Sequence, residues 1–152
     1  MRSLVGFAAI VALSVSALPT RASSIDSVPP DQQSINALLA KASQAQPREQ
    51  CFLYAEAVHQ MTELSIRQYA AGDTTHAVGL LKQIQQFAQK IHLSLANNDK
   101  RLKNAEILLS NTAFRLTEML HSSNLEDQPL VKQTLAQVTQ AQNEALMQVF
   151  SK

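Results

Sequence analysis

Glu56 and His59 stand three residues apart, and Glu118 and His121 repeat that spacing. On an α-helix, residues i and i+3 share a face, so each pair presents a carboxylate and an imidazole side by side. Both groups are ligands for transition metals, and two such pairs brought together could hold a two-metal centre. That chemistry makes further demands. The pairs must point inward, lie at one depth, and be joined by additional carboxylates.

The elements that would position them are legible in the apolar spacing. Ile35, Leu38, Leu39 and Ala42 share one face and predict a short amphipathic helix. Pro47 ends it and suits the first turn of the next. A first long segment then runs from about 48 to 71, with Cys51, Tyr54, Val58, Met61, Ser65 and Tyr69 on its stripe and Gly72 as its stop. Asp73 is a good N-cap for a second segment reaching about Ala96, striped by Leu80, Leu81, Ile84, Phe87, Ile91 and Leu95. Asn97 and Asn98 end it and Asp99 caps a third, whose Leu102, Ala105, Leu109, Thr112, Leu116 and Met119 alternate spacings of three and four. Asp127 caps a fourth, with Pro129 in its first turn and Val131, Leu135, Val138, Gln142, Ala145 and Val149 as its stripe.

Four heptad-spaced segments joined by short connections predict an all-α fold, an up-down antiparallel four-helix bundle with a short N-terminal amphipathic helix. The stretch from Ala70 to Ala77 resembles the turn of a tetratricopeptide repeat. Such repeats recur every 34 residues, roughly, whereas the helix pairs here recur at about 52, which argues against that fold.

The two Glu-x-x-His motifs resemble those of ferritin-like carboxylate proteins, and the resemblance implies two more helices that each supply a lone glutamate. Three features oppose a di-iron site. At 100° per residue, Glu56 and His59, like Glu118 and His121, fall about 150° from the centre of their stripes. Glu118 lies some ten residues deeper in its helix than Glu56, a gap of roughly 15 Å. The second segment contains no acidic residue and the fourth only Glu144. We therefore expect no metal and no other cofactor. A haem would need inward axial ligands, and of the histidines only His92 approaches a stripe edge.

Composition narrows the function further. Arg2 and the apolar run from Leu4 to Leu18 predict a signal peptide, residues 1–22, cut after Ala22 or else after Ala17. The run is shorter than the roughly 20 residues of a full membrane span. Residues 23–33 read as a Ser-, Asp- and Pro-rich leader, and 34–152 as one helical domain. Cleavage removes two of the 13 basic residues and none of the 12 acidic ones, leaving a near-neutral chain without the basic surplus of a nucleic-acid binder. Cys51, the single cysteine, allows no internal disulfide and reads as a buried apolar residue. Glycines are too few for phosphate-cradling loops or nucleophile elbows, and no catalytic residue is assigned.

What remains is a pair of lines away from the stripes. Phe52, His59 and Ile66 are spaced by seven on the first long segment, and Ile107, Phe114 and His121 on the third. Large apolar residues in line suggest a covering element or partner. The expected function is an exported, periplasmic or extracellular, non-enzymatic interaction or scaffolding protein of the cell envelope. Its partner would be a second copy or another envelope protein, with no nucleic acid and no membrane span after cleavage. A ligand- or metal-binding bundle and an ATP-independent chaperone-like bundle are the alternatives. N-terminal sequencing of the exported chain should begin at Ser23; a chain that still carries Met1 would overturn the signal-peptide assignment.

Overall fold

A computed structural model describes residues 28–95 and 101–151. The signal peptide, residues 23–27 of the leader and the Asn97–Asn98–Asp99 boundary expected from the sequence lie outside these residues. The described chain is all-α, with α1 at Gln32–Gln44, α2 at Pro47–Ala70, α3 at Thr74–Ser94, α4 at Leu102–Ser122 and α5 at Gln128–Phe150. None of these helices is long and apolar enough to cross a membrane.

Local chemistry accounts for most helix ends. Pro47 opens α2, where its missing N–H costs nothing. At the other end Gly72 adopts φ +85°, and the Gly72 and Asp73 N–H groups donate to the carbonyls of Tyr69 and Gln68. This is a Schellman closure, which favours glycine because only glycine takes the left-handed conformation without a Cβ clash. The Asp73 carboxylate then accepts the His76 N–H and starts α3. α1 begins earlier than its apolar spacing indicates, inside the stretch read as leader. Asp31 and Ser34 form a reciprocal capping box there, each side chain bonded to the other's backbone N–H.

Packing follows from which faces are apolar. α2 contacts α1, α3 and α4, while α5 contacts α3 and α4. Among the described residues α3 and α4 do not pack on each other, and neither do α2 and α5. The expectation that successive helices are neighbours therefore holds for α2/α3 and α4/α5 but not for α3/α4. Connections 71–73 and 123–127 hold their helices together as hairpins, whereas α4 packs on the flank of α2 away from α3.

Helix directions follow from paired contacts. His59 meets Thr112 and Glu63 meets Arg115, so α2 and α4 run parallel. Gln85 meets Thr134 and His92 meets Glu144, so α3 and α5 do too. Within the α2/α3 hairpin Ser65 reaches the Ala77 carbonyl and Tyr54 stacks on Phe87, the signature of antiparallel neighbours.

Met61, Leu81, Ile84, Ile91, Leu109, Leu116, Val131 and Val138 form the fully buried centre. The α4 stripe is buried at every position its spacing predicts. In α5 the stripe passes through Thr134 and Ala141, and Gln142 lies at the α4 seam with its amide donating to Glu106. The edge position accounts for an amide on an otherwise apolar helix.

One side chain closes the end of the molecule where α2 stops and α4 turns into α5. The Tyr69 hydroxyl donates to the Asp127 carboxylate at 2.9 Å and accepts the Asn124 N–H at 2.8 Å. Asp127 occupies the expected N-cap position of α5, yet its side chain serves Tyr69 and does not cap the helix. Tyr69→Phe removes both bonds, and the unfolding free energy should fall by about 1–2 kcal/mol with helicity retained. Unchanged denaturation midpoints would show that the bridge contributes nothing.

Candidate interaction surface

The structure treats the two off-stripe lines differently. On α2, Phe52 is buried and the Arg101 guanidinium lies over its ring at 3.6 Å from the centroid. Ile66 packs against the core, and His59 is half-buried. The sequence reading pointed Glu56 and His59 away from the protein; His59 instead faces α4. The reason is that α2 has neighbours on three sides, so a direction opposite one stripe is still inward. Phe52, His59 and Ile66 are thus covered within the chain. On α4, by contrast, Ile107 is 48% and Phe114 64% exposed, and His121 is exposed beside them.

Helix spacing places Lys103, Ile107, Ser110, Asn111, Phe114 and Glu118 within about 60° of one line along α4. All six are exposed. Their line lies opposite Ala105, Leu109, Thr112 and Leu116, which are fully buried. A single helix therefore carries a complete core face and, behind it, two large apolar residues one heptad apart.

His59 and Glu118, one residue from each Glu-x-x-His motif, take part in hydrogen bonding at the seam between α2 and α4. Thr112 Oγ1 donates to the Leu108 carbonyl at 2.7 Å, which uses its only proton. It therefore accepts from His59 Nδ1 at 3.0 Å, and His59 carries its proton on Nδ1. One turn further on, Arg115 grips Glu63 through two bonds of 2.7 and 3.1 Å and also bonds Glu118 of its own helix. Glu63 and Arg67 are spaced for a pair along α2, but the bidentate partner of Glu63 comes from α4. Among the described residues no three His, Cys, Asp or Glu side chains converge as a metal site. The register of the seam puts Glu118 well beyond the level of Glu56, so the two motifs do not meet.

A second feature lies between α3 and α5. His92 Nδ1 bonds the Glu144 carboxylate, and its ring lines a groove of about 350 Å³ together with Gln89, Gln137 and Gln140 above the buried Ala88 and Ala141. Gln137 Oε1 is buried there without a hydrogen-bond donor among the described residues. The sequence singled out His92 as lying at a stripe edge, and Glu144 as the only acid of its helix. Their pairing depends on the parallel packing of α3 and α5, which spacing along either helix does not reveal.

Electrostatics follow burial and pairing. Desolvation holds the His59 imidazole below the ordinary value of 6.5, with Arg115 adding to the effect and Glu63 opposing it. The hydrogen bonds from Arg115 hold the Glu63 carboxyl below its ordinary 4.5. Comparison of the chain with known protein families, characterised proteins and solved structures found no match.

These shifts set the acid response of the fold. Below pH 6.5 the unfolded chain takes up a proton at His59 that the folded chain refuses, so stability falls as pH drops through that range. Stability from the Glu63–Arg115 pair is present above pH 4.5 and is lost as pH falls through the lowered carboxylate value. Denaturation measured from pH 8 to 3 should show both stages, in roughly these windows. His59→Gln should remove the first and leave the second; an unchanged first stage would exclude His59 as its origin.

Proposed function

We propose that the chain is an exported, non-enzymatic interaction or scaffolding protein of the cell envelope that works through the outer face of α4. In this reading residues 1–22 are a cleaved signal peptide, and α2 to α5 form an up-down four-helix bundle with α1 laid against it. Support for the bundle comes from the ring of contacts α2–α3–α5–α4 and from helix directions that alternate along the chain.

The observation that carries the functional reading is the exposure of Ile107 and Phe114 on a helix whose other face is closed. Leaving a large apolar side chain in water forgoes about 1.5–3 kcal/mol relative to burying it. Scattered exposed apolar residues are ordinary. Two in line on one rigid helix, flanked by Lys103 and Glu118, have the composition of a contact surface with a polar rim.

A second reading rests on the groove between α3 and α5, where His92 and the amides of Gln89 and Gln140 could orient a small polar ligand, with Glu144 holding the imidazole. Stoichiometric metal or an organic ligand in protein isolated from its own compartment, lost on His92→Ala, would favour it.

Because Phe52 is buried, substituting it tests folding and not contact. Ile107→Asp with Phe114→Asp is the appropriate variant. It should keep the helical signal and lose the association seen by chemical cross-linking in intact envelopes. Identical cross-linking patterns for variant and parent would overturn the proposal.

A further inference from the structure

The outer face of α4 is self-complementary when two copies of the helix are laid antiparallel. A twofold axis passing between Ser110 and Asn111 sets Ile107 of one copy against Phe114 of the other, and each pair occurs twice. The same axis sets Lys103 against Glu118, again twice. Both relations share one centre, although nothing in the heptad repeat requires the charges to be placed about the midpoint of the apolar pair. The residues at the axis, Ser110 and Asn111, are small and polar, which lets two helices approach closely.

A parallel arrangement would stack Lys103 on Lys103 and Glu118 on Glu118, setting like charges opposite each other. The antiparallel arrangement removes that repulsion and gives two ion pairs at the ends of an apolar centre. Glu118 already accepts a bond from Arg115 of its own chain, so its carboxylate is held in place to receive Lys103 of the second copy. Every residue involved is exposed, and α4 stands at a corner of the molecule with α2 and α5 receding on either side.

We infer that the partner of this face is a second copy of the chain, docked as an isologous antiparallel α4–α4 pair centred between Ser110 and Asn111. The inference rests on the interaction reading above and names the occupant of that surface. Contact along a single helix falls at the small end of specific interfaces. The dimer is therefore expected to be reversible, with a dissociation constant on the order of micromolar.

Sedimentation equilibrium of the mature chain from micromolar to a few hundred micromolar should show a monomer–dimer equilibrium, weakened at least on the order of tenfold by Phe114→Asp. Lys103→Glu should weaken it, and Lys103→Glu combined with Glu118→Lys should restore it. Orientation is read by disulfide trapping, since the native Cys51 is buried. Asn111→Cys should cross-link to its own copy. Lys103→Cys should cross-link efficiently only when mixed with Glu118→Cys, whereas self-linking of Lys103→Cys would establish the parallel pair and overturn the inference. A chain monomeric throughout that range would also overturn it. If such a monomer still loses an envelope cross-link on Phe114→Asp, the interaction reading survives with a different partner; if it loses none, both fall.

Discussion

The burial of α2 on three sides is the constraint from which the rest of the structure follows. Eleven of its residues are buried, and they do not form one stripe. Polar groups on the enclosed faces of such a helix do not reach water and are met within the protein, apart from the buried Gln60 Oε1, which has no hydrogen-bond partner among the described residues. Thr62 turns its hydroxyl back to the Val58 carbonyl, Ser65 donates to Ala77 of α3, and His59 donates to Thr112 of α4. Glu63 is met by Arg115, and Tyr69 joins the turn before α5. Once those partners are required, the places of α3, α4 and the α4–α5 turn around α2 are determined.

The two parallel seams use one device. In each, a buried threonine of the later helix donates to its own i−4 carbonyl and accepts from a side chain of the earlier helix. Thr112 receives His59, and Thr134 receives Gln85 at 2.9 Å. Apolar heptads alone tolerate a slide of one repeat with little change in buried area. A hydrogen bond to a buried threonine does not, because a slide would leave its half-buried donor without that partner and the hydroxyl without its donor, at up to about 1–3 kcal/mol for the buried group. The threonines thus set the axial register that the apolar residues leave open.

Helix ends and the α4 core were readable because each rests on local chemistry: Pro47 at a helix start, Gly72 at positive φ, Asp73 at an N-cap, and an unbroken three–four alternation from Leu102 to Met119. The start of α1 was readable in principle from the Asp31–Ser34 pair, which apolar spacing alone overlooks. What spacing could not supply was the number of neighbours around a helix. Apolar spacing supplies a single neighbouring face for α2, and so it points His59 outward and sets Phe52 off the core, in need of a covering element or partner. On α4, which has two neighbours, the same reasoning put Ile107 and Phe114 correctly at the surface. Pairings such as Glu63–Arg115 and His92–Glu144 join residues 52 apart along the chain, and only the packing brings them together.

The placement of α4 beside α2 and away from α3 has a kinetic consequence. Contacts within each hairpin close short loops, because the turns at 71–73 and 123–127 reverse the chain at once. Every contact in the two parallel seams must wait for a much longer loop to close, which costs more entropy and comes later. Folding is thereby divided into two quick local steps and one slower docking step. Until docking, each hairpin presents to solvent the face that will become the interior, and Leu109, Leu116, Leu81 and Ile84 are open to other chains. The period of greatest risk for this protein is the interval between completing its second hairpin and closing it onto the first.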